Sequence, residues 1–219
     1  MRDRDDEGIR DPVANALLGD STYERLRQTR YSPFSQRIPT KIVVQSGLLF
    51  LLALMLPVMA AFPAEVRAML GGSAFSSSPR VLVLGLVGGV VVFSGGVALT
   101  VVGFLRVHLE PRMTERLANR LLSLEDVASL LGIGTGGIAI LLTMAYVLMG
   151  YVSVRAVEWY VDTMGISPFA SSGIEPVTVG GVATLAFVGS VALLVASQAL
   201  HMETRLRLGE EYTGSPLAD

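Results

Sequence analysis

The chain of 219 residues contains no cysteine. Disulfides, thiolate metal sites and cysteine nucleophiles are thereby excluded. Histidine occurs only twice, and of 17 basic residues only Lys41 is a lysine. Charged residues make up 16% of the chain and the net charge is -2. That balance is too small to argue for nucleic acid or for a strongly charged partner. No GxxxxGK[ST] phosphate loop, HExxH or GxSxG is present, so the P-loop, zinc-protease and serine-hydrolase signatures fail. The first forty or so residues are polar, and the sequence predicts no cleavable signal peptide.

Four stretches lack Asp, Glu, Lys and Arg altogether: 42–64, 81–105, 127–154 and 176–202. Each exceeds the roughly 20 residues that carry a helix across a bilayer. A hydrophobic content of 51% and a mean hydropathy of +0.56 agree. The sequence therefore predicts an all-α integral membrane four-helix bundle, with spans at about 42–62, 81–105, 128–152 and 177–200. Pro57 lies inside the first and predicts a kink, because it removes a backbone donor.

The basic residues set an orientation. Fourteen precede span 1, occupy the middle connection or follow span 4, whereas only Arg67, Arg80 and Arg155 lie in the other two loops. The positive-inside rule then puts both termini and the middle connection in the cytoplasm of a multi-pass plasma-membrane protein. The arginine bias, with an isoelectric point near 5.7, suggests a prokaryote of high GC content.

Outside the spans, the sequence at 21–24 resembles a capping box and predicts a short helix to about residue 30. Residues 113–122 read as a short amphipathic helix on the cytoplasmic surface. Ser123-Leu124-Glu125-Asp126 then reads as the cap of span 3. Trp159 and Tyr160 suit the aromatic belt at the opposite interface.

Small residues line the spans. Gly85, Gly89, Gly96 and Gly103 fall on one face of span 2, Gly132 and Gly136 form a GxxxG in span 3, and Gly189 heads a small face of span 4. Such faces let helices approach closely in lipid. The plainer use is packing within one chain, and the sharper one is a homodimer.

The two halves of the chain also correspond. Both histidines stand in a His-apolar-Glu-x-Arg pattern at the exit of an apolar span: His108, Glu110 and Arg112, then His201, Glu203 and Arg205. Serine-rich loop segments at 73–78 and 167–172 match in the same order. This predicts a tandem duplication: a polar arm 1–20, a first hairpin repeat 21–112, a second 113–207 and a polar tail 208–219. Two-span units share one orientation, so a pseudo-twofold along the membrane normal is expected.

Function is less constrained. His108 and His201 could jointly hold a metal or a haem iron, or sense pH. The plainer reading is cationic side chains at helix C-termini that snorkel to the interface. The span interiors, as bounded above, hold no ionisable residue, which argues against ion pumps and proton-coupled carriers. The expectation is a non-enzymatic interaction or assembly component with no resident cofactor. Its partners would be the bilayer and either a second copy or a membrane-complex subunit. A small channel or uncoupled transporter is the first rival, and a metal- or haem-binding protein using His108 and His201 is the second.

Overall fold

A computed structural model describes residues 36–109, 114–174 and 176–213, with side chains as far as 203. The arm 1–20, the capping box at 21–24 with its helix, the side chain of Arg205, and Glu110 and Arg112 lie outside the described residues.

The first helix shows how the bundle is built. In α1 (Ile38–Ala53) the buried positions are 38, 41, 42, 45, 46, 49 and 52, the spacing of one helical face. α1 stops at Ala53, and α2 (Met55–Ala60) resumes after Leu54. Ala53 lies four residues before Pro57, so its carbonyl is the one to which the proline, lacking an amide hydrogen, cannot donate. A short α3 (Ala64–Met69) follows. Next comes α4 (Arg80–Leu109), then α5 (Glu115–Ser129), a π-helical segment (Leu130–Gly136) and α6 (Gly137–Val152). α7 (Val154–Met164) and α8 (Val179–Thr213) complete the described chain.

Four helices are long and apolar enough to cross a membrane: Ile38–Ala60, Arg80–Leu109, Glu115–Val152 and Val179–Glu203. They pack as an all-α bundle. Span 1 lies along span 4 and against span 2, span 2 lies along span 3, and spans 1 and 2 form the centre.

Two expectations at the helix boundaries are corrected. The segment 113–122 is not a separate surface helix. Its described part, 114–122, is the Thr114 cap and the first turns of α5, which starts at Glu115 and runs through the π segment into α6. Ser123 to Asp126 therefore lie inside α5 rather than at the start of a helix. Ser123 Oγ donates to the carbonyl of Asn119 within the helix, and Glu125 is buried. α5 keeps the amphipathic pattern, and a short separate amphipathic helix lies at the other end of the bundle, in α7, which Ser153 caps and Gly165 ends with a left-handed φ of 68°.

At that loop end the two hairpin connections interlock. The amides of Arg80 and Val81, which open span 2, donate to the carbonyls of Ala170 and Pro168. The amides of Val179 and Gly180, which open span 4, donate to the carbonyls of Ser77 and Phe75. Each loop thus satisfies amide donors that the other hairpin's helix leaves open at its N-terminus. Ser78 Oγ and Ser172 Oγ meet at 2.8 Å on the seam. This reciprocity is local. The contact between spans 1 and 2 has no equal between spans 3 and 4, whereas a strict twofold relating the hairpins would repeat it.

Candidate functional site: a buried polar cluster near the terminal end

The inward face of α1 carries three polar side chains, Lys41, Gln45 and Ser46, among Ile38, Ile42, Leu49 and Leu52. The inward face of α5 carries Glu125 among Ala118, Leu121, Leu122 and Ala128. Where these faces meet, Lys41 Nζ donates to Glu125 Oε1 at 2.6 Å, with 1% and 3% of the two side chains exposed. A charge-assisted bond of this length is strong. It must offset the loss of hydration of both groups, so the pair is costly to break and weak evidence for net stability. Ser129 Oγ, one turn on, donates to the carbonyl of Glu125 at 2.6 Å.

One turn beyond Lys41, Gln45 is fully buried, and among the described residues neither end of its amide has a hydrogen-bond partner. Its Nε2 abuts Gly132 and Gly95, and its Oε1 is turned toward Gly96. Gly132 belongs to the π-helical segment, whose sequence LLGIGTG holds three glycines. Such wide turns are rare and recur at functional sites. An orphaned buried amide against one of them is a group in want of a partner.

Other polar groups bind span 4 to span 1. Ser46 Oγ donates to the carbonyl of Ser190 at 2.8 Å and lies 3.1 Å from its hydroxyl. Ser197 Oγ donates to the carbonyl of Pro39 at 3.1 Å. Thr100, Thr143 and Thr184 bond carbonyls of their own helices.

The histidines lie elsewhere. His108 is exposed, with Nδ1 3.0 Å from the Phe104 carbonyl and Nε2 3.7 Å from Glu203 Oε1. The two sequence motifs are thus joined crosswise, histidine of the first to glutamate of the second. His201 stands two positions before Glu203, about 200° around the helix, and so points away from the side that meets His108. Among the described residues no group of three or more His, Asp or Glu side chains is placed to hold a metal ion.

The glycines named from the sequence sit at close helix crossings. A Cβ on Gly85 would meet Leu52 and Thr143, on Gly89 Leu52, on Gly96 Leu193, and on Gly103 Leu200. Gly136 faces Val92 and the Gly88 carbonyl, and Gly189 faces Phe93 and Leu49. These faces are occupied by the chain's own helices, which removes the glycine stripe of span 2 as a ready dimer surface.

Toward the loop end, Tyr146 and Tyr160 pack edge to face at 5.5 Å with their hydroxyls 3.4 Å apart. The hydrogen bond with Tyr146, then partial desolvation and the neighbouring phenol's charge, hold the Tyr160 phenol above its ordinary value.

The ion pair and Gln45 are absent from the sequence-based candidates. The apolar windows ended at the first charge, which put Lys41 and Glu125 outside the spans. The structure puts both inside the bundle and corrects the expectation that its interior holds no ionisable residue. The signal was periodicity: Lys41 is in phase with Ile38, Ile42, Gln45 and Leu49, and Glu125 with Ala118, Leu121, Leu122 and Ala128.

The fold is an all-α bundle whose four long apolar helices are candidate membrane spans, as in a multi-pass membrane protein. No family model matches the chain, nor does any curated protein or solved structure compared with it.

Proposed function

We propose that this protein is a non-enzymatic interaction or assembly component of the plasma membrane, with both termini in the cytoplasm. The observation that carries the reading is how the buried polar groups are spent. Lys41 is engaged by Glu125, Ser46 by Ser190 and Ser197 by Pro39, while the loop-end connections interlock. Such bonds fix helices against one another and set no nucleophile beside a base. The reciprocal loop contacts also favour a tandem origin of the two hairpins, each having diverged in its span packing. Crosslinking in native membranes, followed by purification and native mass measurement, tests the proposal. Recovery of a defined complex supports it. A strictly monomeric particle with no companion in the native membrane overturns it.

One observation favours a second reading, a small channel or uncoupled transporter. Gln45 offers an unsatisfied amide beside a π-helical turn and one turn from an ion pair, and polar groups at depth in a bundle commonly mark a solute path. Solute flux across proteoliposomes that falls on Gln45→Leu supports this reading. Absence of flux over a panel of ions and small neutral solutes removes it.

A further inference from the structure

Spans 2 and 4 part on one side of span 1 and leave a groove of about 310 Å³. Leu49 and Leu52 of α1 form its floor, Leu86 and Phe93 of α4 one wall, and Ala186 and Ala192 of α8 the other. Along α8 the groove runs from Val182 to Ala192, about 15 Å at 1.5 Å per residue. It begins three residues below the N-terminus of α8, so it occupies the leaflet on the loop side. Phe75, from the first hairpin loop, lies over Gly180 just above its upper end. Phe93 packs against Gly189 toward its lower end.

We propose that this groove is a binding site for one phospholipid acyl chain drawn from the loop-side leaflet. Three features select that occupant. The lining is apolar throughout, so nothing there would hold a polar head or solute. The rim is the lipid-facing surface itself: Val90, Leu185 and Val188 are 57%, 71% and 58% exposed, which only hydrocarbon can cover in a spanning bundle. The volume is at the lower limit of ligand pockets, roughly 300 Å³, and its length along the helices suits a single extended chain rather than a ring system. A second copy's helix would meet a concave slot here instead of a flat small-residue face. The groove and the buried polar cluster share no lining residue, so this site is independent of the function proposed above.

The test uses the full chain, purified in detergent and re-equilibrated with palmitoyl-oleoyl-phosphatidylcholine, whose neutral headgroup isolates the contribution of the chains. Native mass spectrometry should show one retained phospholipid per protein. Ala192→Phe places a ring in the groove and should lower retention about tenfold. Leu194→Phe, outside the lining, should leave retention unchanged. Val188→Trp, on the rim, is the second filling variant should Ala192→Phe fail to fold. Equal retention by the wild-type chain and a folded filling variant overturns the proposal, as does a wild-type chain that keeps no lipid. A dimer that dissociates on Ala192→Phe also overturns it, because the occupant is then a second copy.

Discussion

Lys41 and Glu125 are 84 positions apart in the chain, yet they form a 2.6 Å ion pair sealed between spans 1 and 3. Removing one partner takes this bond from the other buried charge, at a cost of about 3–5 kcal/mol. Replacing both by apolar residues of similar size removes the desolvation penalty along with the attraction. Lys41→Met and Glu125→Leu should each lower stability by that amount in an unfolding titration from mixed micelles into sodium dodecyl sulfate. The double variant should recover most of the loss. Additive losses would show that the two side chains act independently.

Gln45 gives an opposite expectation. A buried amide with neither end bonded costs about 1–3 kcal/mol relative to one that is satisfied. Gln45→Met keeps the length of the side chain and discards the polar atoms. The same titration should find the variant more stable than the wild-type chain by about 1 kcal/mol or more. A loss of stability would mean that the amide has a partner in the membrane, such as an ordered water on the carbonyls of the π-helical segment.

How much of this was legible beforehand depends on which physical signal each feature leaves. The spans left the strongest, because twenty or more uncharged residues have few other uses. The Pro57 break was legible too, since a missing donor acts wherever the ring sits. Lys41 and Glu125 were not. Charge-free windows treat any charge as the membrane boundary, whereas a paired charge can lie inside a bundle if a distant residue meets it, and that pairing is a tertiary fact. Asp126 and Ser123 looked like a cap because caps and exposed helix turns draw on the same residues. The π-helical segment leaves no periodic signature over seven residues. His108 and His201 share a pattern in the sequence, but sequence order does not say that His108 Nε2 lies 3.7 Å from Glu203 Oε1.

The glycines separate into two kinds, and substitution should tell them apart. A Cβ on Gly95 would lie 2.9 Å from the backbone carbonyl oxygen of Ala128 and 3.0 Å from the Cα of Gly132. Backbone cannot swing aside as a flexible side chain can, so Gly95→Ala should force spans 2 and 3 apart and destabilise the bundle by about 1–3 kcal/mol. Gly47 has nothing within 4 Å of its would-be Cβ and sits in α1. There Gly47→Ala should be neutral or stabilising by about 0.5–1 kcal/mol, since alanine loses less backbone freedom. Thermal unfolding of the two variants side by side checks both. Equal behaviour would contradict the close crossing at Gly95.

The interlocked loop end can be tested directly because the chain has no cysteine to interfere. Ser78 Oγ and Ser172 Oγ are 2.8 Å apart, and the Ser172 amide donates to the Ser78 carbonyl at 2.7 Å. Residues in such contact lie within the Cα separation a disulfide spans, about 4.4–6.8 Å. The Ser78→Cys, Ser172→Cys variant should therefore crosslink under mild oxidation. With a protease site inserted in the middle connection, the two cleaved halves should stay joined on a gel until reductant is added. Closing a loop that spans 94 positions should also raise stability by about 4.7 kcal/mol if the native geometry is unstrained. Single-cysteine variants provide the control, since each should react with a soluble maleimide and give no intramolecular bond. Two reactive thiols that never couple would show that the seam between the hairpins opens, and the reciprocal capping of spans 2 and 4 would fall with it.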